Sequence, residues 1–384
     1  MGRAVGVDPG TMFFQTAEMK GGDEISFQEI RNAFIELDET EESTEALSQN
    51  NWKYIHDESE GKYYVLGEDA LKMAKMFPGK LELRRPMKDG VLNKGEGKKM
   101  LVLSDIIERS LGRPTDELDI VTTCVSSPSV DGSSDSSFHR SRLQGMFSNA
   151  GWDVKVIEEA HAVILSENPT MQEEDGSVSK YSGMGISFGA GRVNCVLAYK
   201  GKAIIGMSAA RSGDWIDNKV AEATDAPISQ IIGAKEKRLD FSNLDYEDDV
   251  IIALDVYYGE MIKFIFSHFA SKFKEVKSEF PGDIEIVVAG GTSMPKGFIQ
   301  KIEQVISGLN LPFVVKEIRR AKDPRTCVAR GCMTHAIVSQ RKKAKELEDA
   351  KKAPKKVEEP KSEEPKQVSA AEAKKNIDDL ADLG

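Results

Sequence analysis

The chain has little of what marks a membrane, secreted or nucleic-acid-binding protein. No run approaches the ~18 consecutive apolar residues that span a bilayer. The opening MGRAVGVDPG has no apolar signal core, and Gly6 stands where a myristoylation signal needs Ser or Thr. Positive charge is in deficit, with a formal net charge of -11. A phosphate-binding surface needs clustered cations, so this balance argues against nucleic acid and anionic membrane as partners. The four cysteines, Cys124, Cys195, Cys327 and Cys332, form no C-x-x-C pair, and no histidine stands at ligand spacing from one. A disulfide framework and a zinc site are therefore not expected. The thiols read as reduced and mostly buried, in a cytoplasmic protein.

A second scarcity divides the chain. From Gln340 onward the sequence is nearly free of aromatic and β-branched residues. Such a stretch buries too little apolar area to offset its ordering entropy. Residues 339–384 are expected to begin as a helix and fray into a charged, mostly disordered tail. Its end, KKNIDDLADLG, spaces Ile377, Leu380 and Leu383 as on a helix face. That is either a peptide that docks a protein partner or a few stray apolar residues.

What is present is an α/β pattern written twice. A chain of 384 residues is too long for one small core and suggests two lobes. AVGVDPGTMFFQTAE and GISFGAGRVNCVLAYKGKAIIG both read as a buried strand, a glycine-bearing turn and a returning strand. DIEIVVAGG is a further strand, and helical patterns run over 138–150, 157–165, 250–276 and 295–306. The order implies two related halves.

Glycine turns let successive backbone N–H groups converge on phosphate oxygens. Two such hairpins facing each other could grip a triphosphate, with Asp8 as the hard oxygen ligand of a hydrated Mg²⁺. Gly290-Gly291, at the tip of VVAGGTSMPKGF, would let backbone lie close to a ligand, and Thr292 and Ser293 could cap a helix there.

These blocks, in this order, resemble the actin-like ATPase superfamily, and within it the MreB-type prokaryotic actins most closely. GVDPGT resembles the first phosphate motif, ISFGAGRVNCVLAYKGK the second and VVAGGTSMPKGF the adenosine motif. RRPMKDGV, GMFSNAGWDVKVIEEAHAVIL, RSGDWIDNKV and KDPRTCVARGC resemble the stretches that link them.

The resemblance implies the two-lobed actin and heat-shock-chaperone ATPase fold, with a ribonuclease H-like core in each lobe. Lobe I would span 1–182 with a small inserted subdomain near 21–63, lobe II 183–319, and 320–338 would return to lobe I. It implies ATP and Mg²⁺ held by Asp8, Gly10 and Thr11, by Ser187, Gly189, Gly191 and Arg192, and by Gly290, Gly291, Thr292 and Ser293. Lys237 would lie near adenine and ribose, or else on a solvated helix face. Glu159 matches the connector glutamate that orients the attacking water, and Glu158 takes that place if the register shifts by one.

Three departures stand out. Ser187 replaces an aspartate that orders the metal's water shell, Ala160 replaces the proline after the connector glutamate, and the interval from Asp217 to Gly290 is short. The last implies a shortened outer subdomain on the second lobe. SLGRPTDELD, where relatives carry an apolar membrane loop, is polar and acidic, so no direct membrane anchor is expected. The implied function is an ATP-binding cytoskeletal protein that polymerises with itself under nucleotide control and hydrolyses ATP slowly. The alternative is a non-polymerising nucleotide-binding scaffold with little or no ATPase activity.

Overall fold

The computed structural model describes residues 2–20, 24–77, 80–132, 136–167, 171–172, 177–276, 280 and 283–352. The tail from 353 onward, including Ile377, Leu380 and Leu383, lies outside them. Residues 1–344 form one compact body, and 345–384 are a separate unit of which only helical residues 345–352 are described.

The chain opens with strands β1 (Ala4–Pro9), β2 (Phe13–Met19) and β3 (Ile25–Arg31). It continues through β4 (Phe34–Asp38), α1 (Glu41–Asn50), β5 (Tyr54–Asp57), β6 (Lys62–Leu66) and α2 (Gly67–Met76). A short hairpin, β7 (Met87–Lys88) and β8 (Val91–Leu92), precedes α3 (Lys99–Leu111), β9 (Ile120–Val125) and α4 (Ser136–Asn149). Then come β10 (Asp153–Glu158), α5 (Glu159–Glu167) and the two-residue strands β11 (Met171–Gln172) and β12 (Val178–Ser179).

The second run of the pattern holds β13 (Gly183–Phe188), β14 (Val193–Tyr199) and β15 (Lys202–Ala209). It is followed by α6 (Gly213–Thr224), α7 (Ile228–Lys237) and α8 (Asp249–Val276). Last are β16 (Ile284–Ala289), a 3-10 turn at Gly291–Ser293, α9 (Phe298–Ser307), β17 (Val315–Arg320) and α10 (Cys327–Lys352).

Two five-stranded sheets result, ordered β10-β9-β1-β2-β3 and β17-β16-β13-β14-β15 when read in the same sense. In each, the first three strands are antiparallel and the next two add parallel to the first. The duplicated pattern of the sequence is thus a duplicated sheet topology. The central strands IVTTCV, GMGISF and IEIVVA are buried almost throughout, as strands covered on both faces are. Helix α8 turns Val250, Leu254, Tyr258, Met261, Ile265, Phe269 and Phe273 into the core of the second sheet, at three- and four-residue steps.

Two boundaries differ from the sequence reading. Ile25–Arg31, inside the span 21–63 expected for the insert, pairs along β2 as the third strand of the main sheet. The small sheet β4-β6-β5 with α1 and α2 instead occupies Phe34–Met76. The helix expected from 157 begins at Glu159, since DVKVIE pairs with β9 as a strand.

Between the sheets, α5 and α10 pack at backbone contact. A Cβ at Gly6 of β1 would overlap Ala329 and Met333 of α10, one at Gly331 of α10 would overlap Ala162 of α5, and one at Gly185 of β13 would overlap Ala160 of α5. Cys124, Val163, Val287, Ala289, Val328 and Cys332 fill the same layer. Gly331→Ala should therefore lower stability by about 1–3 kcal/mol or more, because the added methyl meets backbone rather than a movable side chain. The urea midpoint measures this, and an unchanged midpoint would contradict the packing described.

Candidate functional site

Parallel strands deliver their carboxyl ends to one edge, and ligand sites of open α/β sheets lie at such edges. Asp8 leaves β1, Cys124 sits beside it on β9, and Glu158 ends β10. Ser187 near the end of β13 is level with Ala289 of β16 and pairs across the hairpin with Asn194 of β14. Gly290 and Gly291 follow at once.

The two glutamates left open by the sequence diverge. Glu158 accepts a hydrogen bond from the Ser127 hydroxyl at 2.6 Å and lies against Gly206 of β15. Glu159, the first residue of α5, accepts from Asn194 Nδ2 at 2.8 Å and from the Ser187 hydroxyl, and faces Asp8. Asn194 accepts in turn from the Ser127 amide at 3.2 Å, so one buried amide connects both glutamates. The strand-to-helix junction explains the divergence, since consecutive residues there point to opposite sides.

Asp8 and Glu159 share a poorly solvated space. Burial pushes the Asp8 carboxyl up to about 7, against a hydrogen bond from the Cys124 thiol at 3.8 Å. Burial, reinforced by the Asp8 charge, pushes Glu159 up to about 8, against the Ser187 hydrogen bond and the Arg192 charge. Two carboxylates so placed could help hold a hard cation.

The glycine turns meet tip to tip. The Thr11 hydroxyl accepts from the Gly90 amide at 3.1 Å, and a Cβ at Gly191 would overlap that hydroxyl. Arg192, buried, donates from Nε to the Asp89 carbonyl at 2.8 Å and from Nη1 to the Ser208 hydroxyl at 3.0 Å. Behind the second tip, the first amides of α6 serve as donors: Gly213 to Gly189 O at 3.2 Å and Asp214 to Ala190 O at 2.7 Å. Gly10 closes its own turn tightly against the Phe13 carbonyl.

The third glycine element is divided in role. Gly290, at φ 91°, packs on the Phe188 carbonyl, where an L side chain has neither the conformation nor the space. A Cβ at Gly291 meets nothing within 4 Å, so this residue is the one facing open space. Thr292 and Ser293 are buried, and their hydroxyls serve the protein itself, donating to Gly189 O at 2.9 Å and to Gly290 O at 2.7 Å. Thr292 thereby ties the third element to the second hairpin. It does not act as the helix cap expected.

Lys237 is exposed in the last turn of α7. The lysine of that helix that reaches the site is Lys235, which pairs with buried Asp217 at 2.6 Å and donates to Gly213 O at 3.3 Å. Sequence reading missed Lys235, Asn194, Ser127 and Cys124. Pairing across the Gly189–Gly191 turn would have brought Asn194 to Ser187, and a 3.6-residue wheel would have turned Lys235 inward.

Two equivalent sheets whose hairpins and strand ends converge on one polar site define an actin-like α/β fold. That fold recurs in the MamK double helical filament, at 17% identity, with 87% of this chain and 98% of that one covered and a TM-score of 0.61. It recurs in MreB5 of Spiroplasma citri bound to ADP, at 13% identity, 88% and 98% coverage and a TM-score of 0.59. The same protein bound to AMPPNP matches at 13% identity, 90% and 98% coverage and a TM-score of 0.58. Residues 3–336 match the model of the Volactin family, and the chain belongs to that family. No curated protein matches it.

The raised carboxyls give a signed pH dependence. A carboxyl whose folded pKa is raised stabilises the fold at low pH, and that contribution disappears as pH rises from about 4 toward the folded value. Buried His139, held down to about 4 by desolvation, acts oppositely below about 6.5. Glu159→Gln, which keeps an acceptor for Asn194, should therefore gain thermal stability over the ligand-free wild type progressively between pH 6 and about 8. Parallel melting curves that stay equally spaced across this range would contradict the assignment.

Proposed function

We propose that the chain binds ATP with Mg²⁺ between the two hairpin tips, polymerises with itself into filaments under nucleotide control, and hydrolyses ATP slowly in the cytoplasm. The observation that carries this reading is the meeting of two topologically equivalent hairpins over the Asp8–Glu159 pair. Support comes from proteins of the same fold, one a double helical filament and one bound to ADP and to AMPPNP. In this reading each five-stranded sheet is the core of one lobe. The outer subdomain of the second lobe is short, built on α6, α7 and the segment up to α8.

The residues fit a divalent cation. Among the described residues no group of three or more His, Cys, Asp or Glu side chains could hold one by itself. Asp8, backed by Glu159, would therefore hold the ion through water, as suits Mg²⁺. The cation, when bound, offsets the charge of the triphosphate and of the two carboxylates. Glu159 holds one oxygen on Asn194 and offers the other to a water aimed at the terminal phosphorus. Thr11 and the Gly191 turn bracket the phosphates, and Gly291 leaves room for the nucleoside. Arg192, secured to Asp89 and Ser208, supplies fixed positive charge behind the second tip.

Ser187 favours a second reading. It gives Glu159 a neutral hydroxyl where a carboxylate would order the metal's waters, so catalysis is weak and a nucleotide-binding scaffold becomes the alternative. Negative-stain microscopy with ATP, with ADP and without nucleotide separates the two. Filaments with ATP alone support the first, and none under any condition supports the scaffold.

Glu159→Ala should slow single-turnover phosphate release by roughly 100-fold with ATP affinity nearly intact, because the residue acts on the transition state. Unchanged release would place the catalytic group elsewhere. Gly291→Val should abolish ATP binding in a folded protein, since its side chain enters space that the protein leaves open. Normal ATP affinity in that variant, by calorimetry, would remove the nucleoside from this position.

A further inference from the structure

A hairpin tip that binds an anion turns its N–H groups toward the ligand, so its carbonyls point away and need donors of their own. Behind the second tip those donors are the Gly213 and Asp214 amides and the Thr292 and Ser212 hydroxyls. Behind the first tip stands Asn32, in the bend between β3 and β4. It is fully buried, donates from its backbone N–H to Met12 O at 2.9 Å and from Nδ2 to Gly10 O at 2.9 Å. The two carbonyls flank Thr11. Asn32 Oδ1 has no partner among the described residues, so the side chain serves here as a donor.

We propose that Asn32 is the positioning residue of the first hairpin, holding Gly10 and Met12 by their carbonyls so that the tip amides face the anionic tail of a nucleoside triphosphate. The proposal rests on the nucleotide reading above. Asn32 contacts no reacting atom in this role, and its effect passes through the Gly10–Met12 backbone. It is specific for the outer phosphates: a ligand without them gains nothing from the tip.

Asn32→Asp tests this, because it keeps the shape while replacing the donor with an acceptor facing the Gly10 carbonyl. ATP affinity should fall about 10-fold or more at pH 8, while AMP affinity stays within experimental error of the wild type. The ATP loss should shrink as pH is lowered, measured against wild type at each pH, because a protonated carboxyl donates again. Asn32→Ala should show the ATP loss without the recovery at low pH. Equal losses for ATP and AMP, or a pH-independent loss in Asn32→Asp, would mean a general structural role and overturn the proposal. Retained ATP affinity in Asn32→Asp would overturn it as well. A wild type that binds neither nucleotide would instead overturn the nucleotide reading and this inference with it, so the two failures are distinguishable.

Discussion

Backbone touching backbone between the two sheets is the constraint on which the rest depends. Gly6, Gly331 and Gly185 remove the side chains that would separate β1 from α10, α10 from α5, and α5 from β13. The stack sets how far the carboxyl end of β1 lies from that of β13, and hence the distance between Asp8 and Ser187. Glu159 begins the inner helix of this stack, which is why it reaches acceptor contacts with the second sheet while facing a carboxylate of the first. A few tenths of an ångström added at any of these glycines would propagate directly to the site, since close-packed interiors transmit strain instead of absorbing it.

The polar network has the same cross-sheet character. Ser127 belongs to the loop after β9, yet its amide, hydroxyl and carbonyl engage Asn194, Glu158 and the Ser208 hydroxyl. Arg192 extends the chain of contacts to Asp89. Asn194, Ser127, Ser208 and Arg192 are themselves buried, so losing one of these links leaves a polar group unsatisfied. Neutral groups at 187 and 194 allow Glu159 to accept two hydrogen bonds without facing further negative charge from β13 and β14. The arrangement favours a fixed glutamate over a densely charged metal cage.

Much of this was legible in the chain because glycine and alternation are local signals. GVDPGT and SFGAGR announced their hairpins through turn chemistry, and the repeated order of elements announced two sheets. Legibility failed where partners come from distant segments. Thr292 and Ser293 read as candidate helix caps, and each donates to a carbonyl instead, one of them on Gly189 far back in the chain. Helical spacing from Ile231 and Ala234 turns Lys235 inward, but its partner Asp217 lies on another helix, α6. The different surroundings of Glu158 and Glu159 follow from the residue at which β10 stops, a boundary set by pairing with β9 and not by local propensity. Asn32 carried no signal, because its work is done on carbonyls of a hairpin formed earlier in the chain.

The glycine stack also bears on how the molecule is made. Gly6 lies near the beginning of the described chain and Gly331 near its end, yet β1 is sealed by the helix that carries Gly331. Translation at roughly 5–20 residues per second leaves the first strand without that cover for tens of seconds. The nascent first sheet must therefore remain soluble with one face unfinished, and completion of the inner layer coincides with emergence of α10. Among the described helices, the one farthest along the chain is thus the one that closes the fold around its first strand.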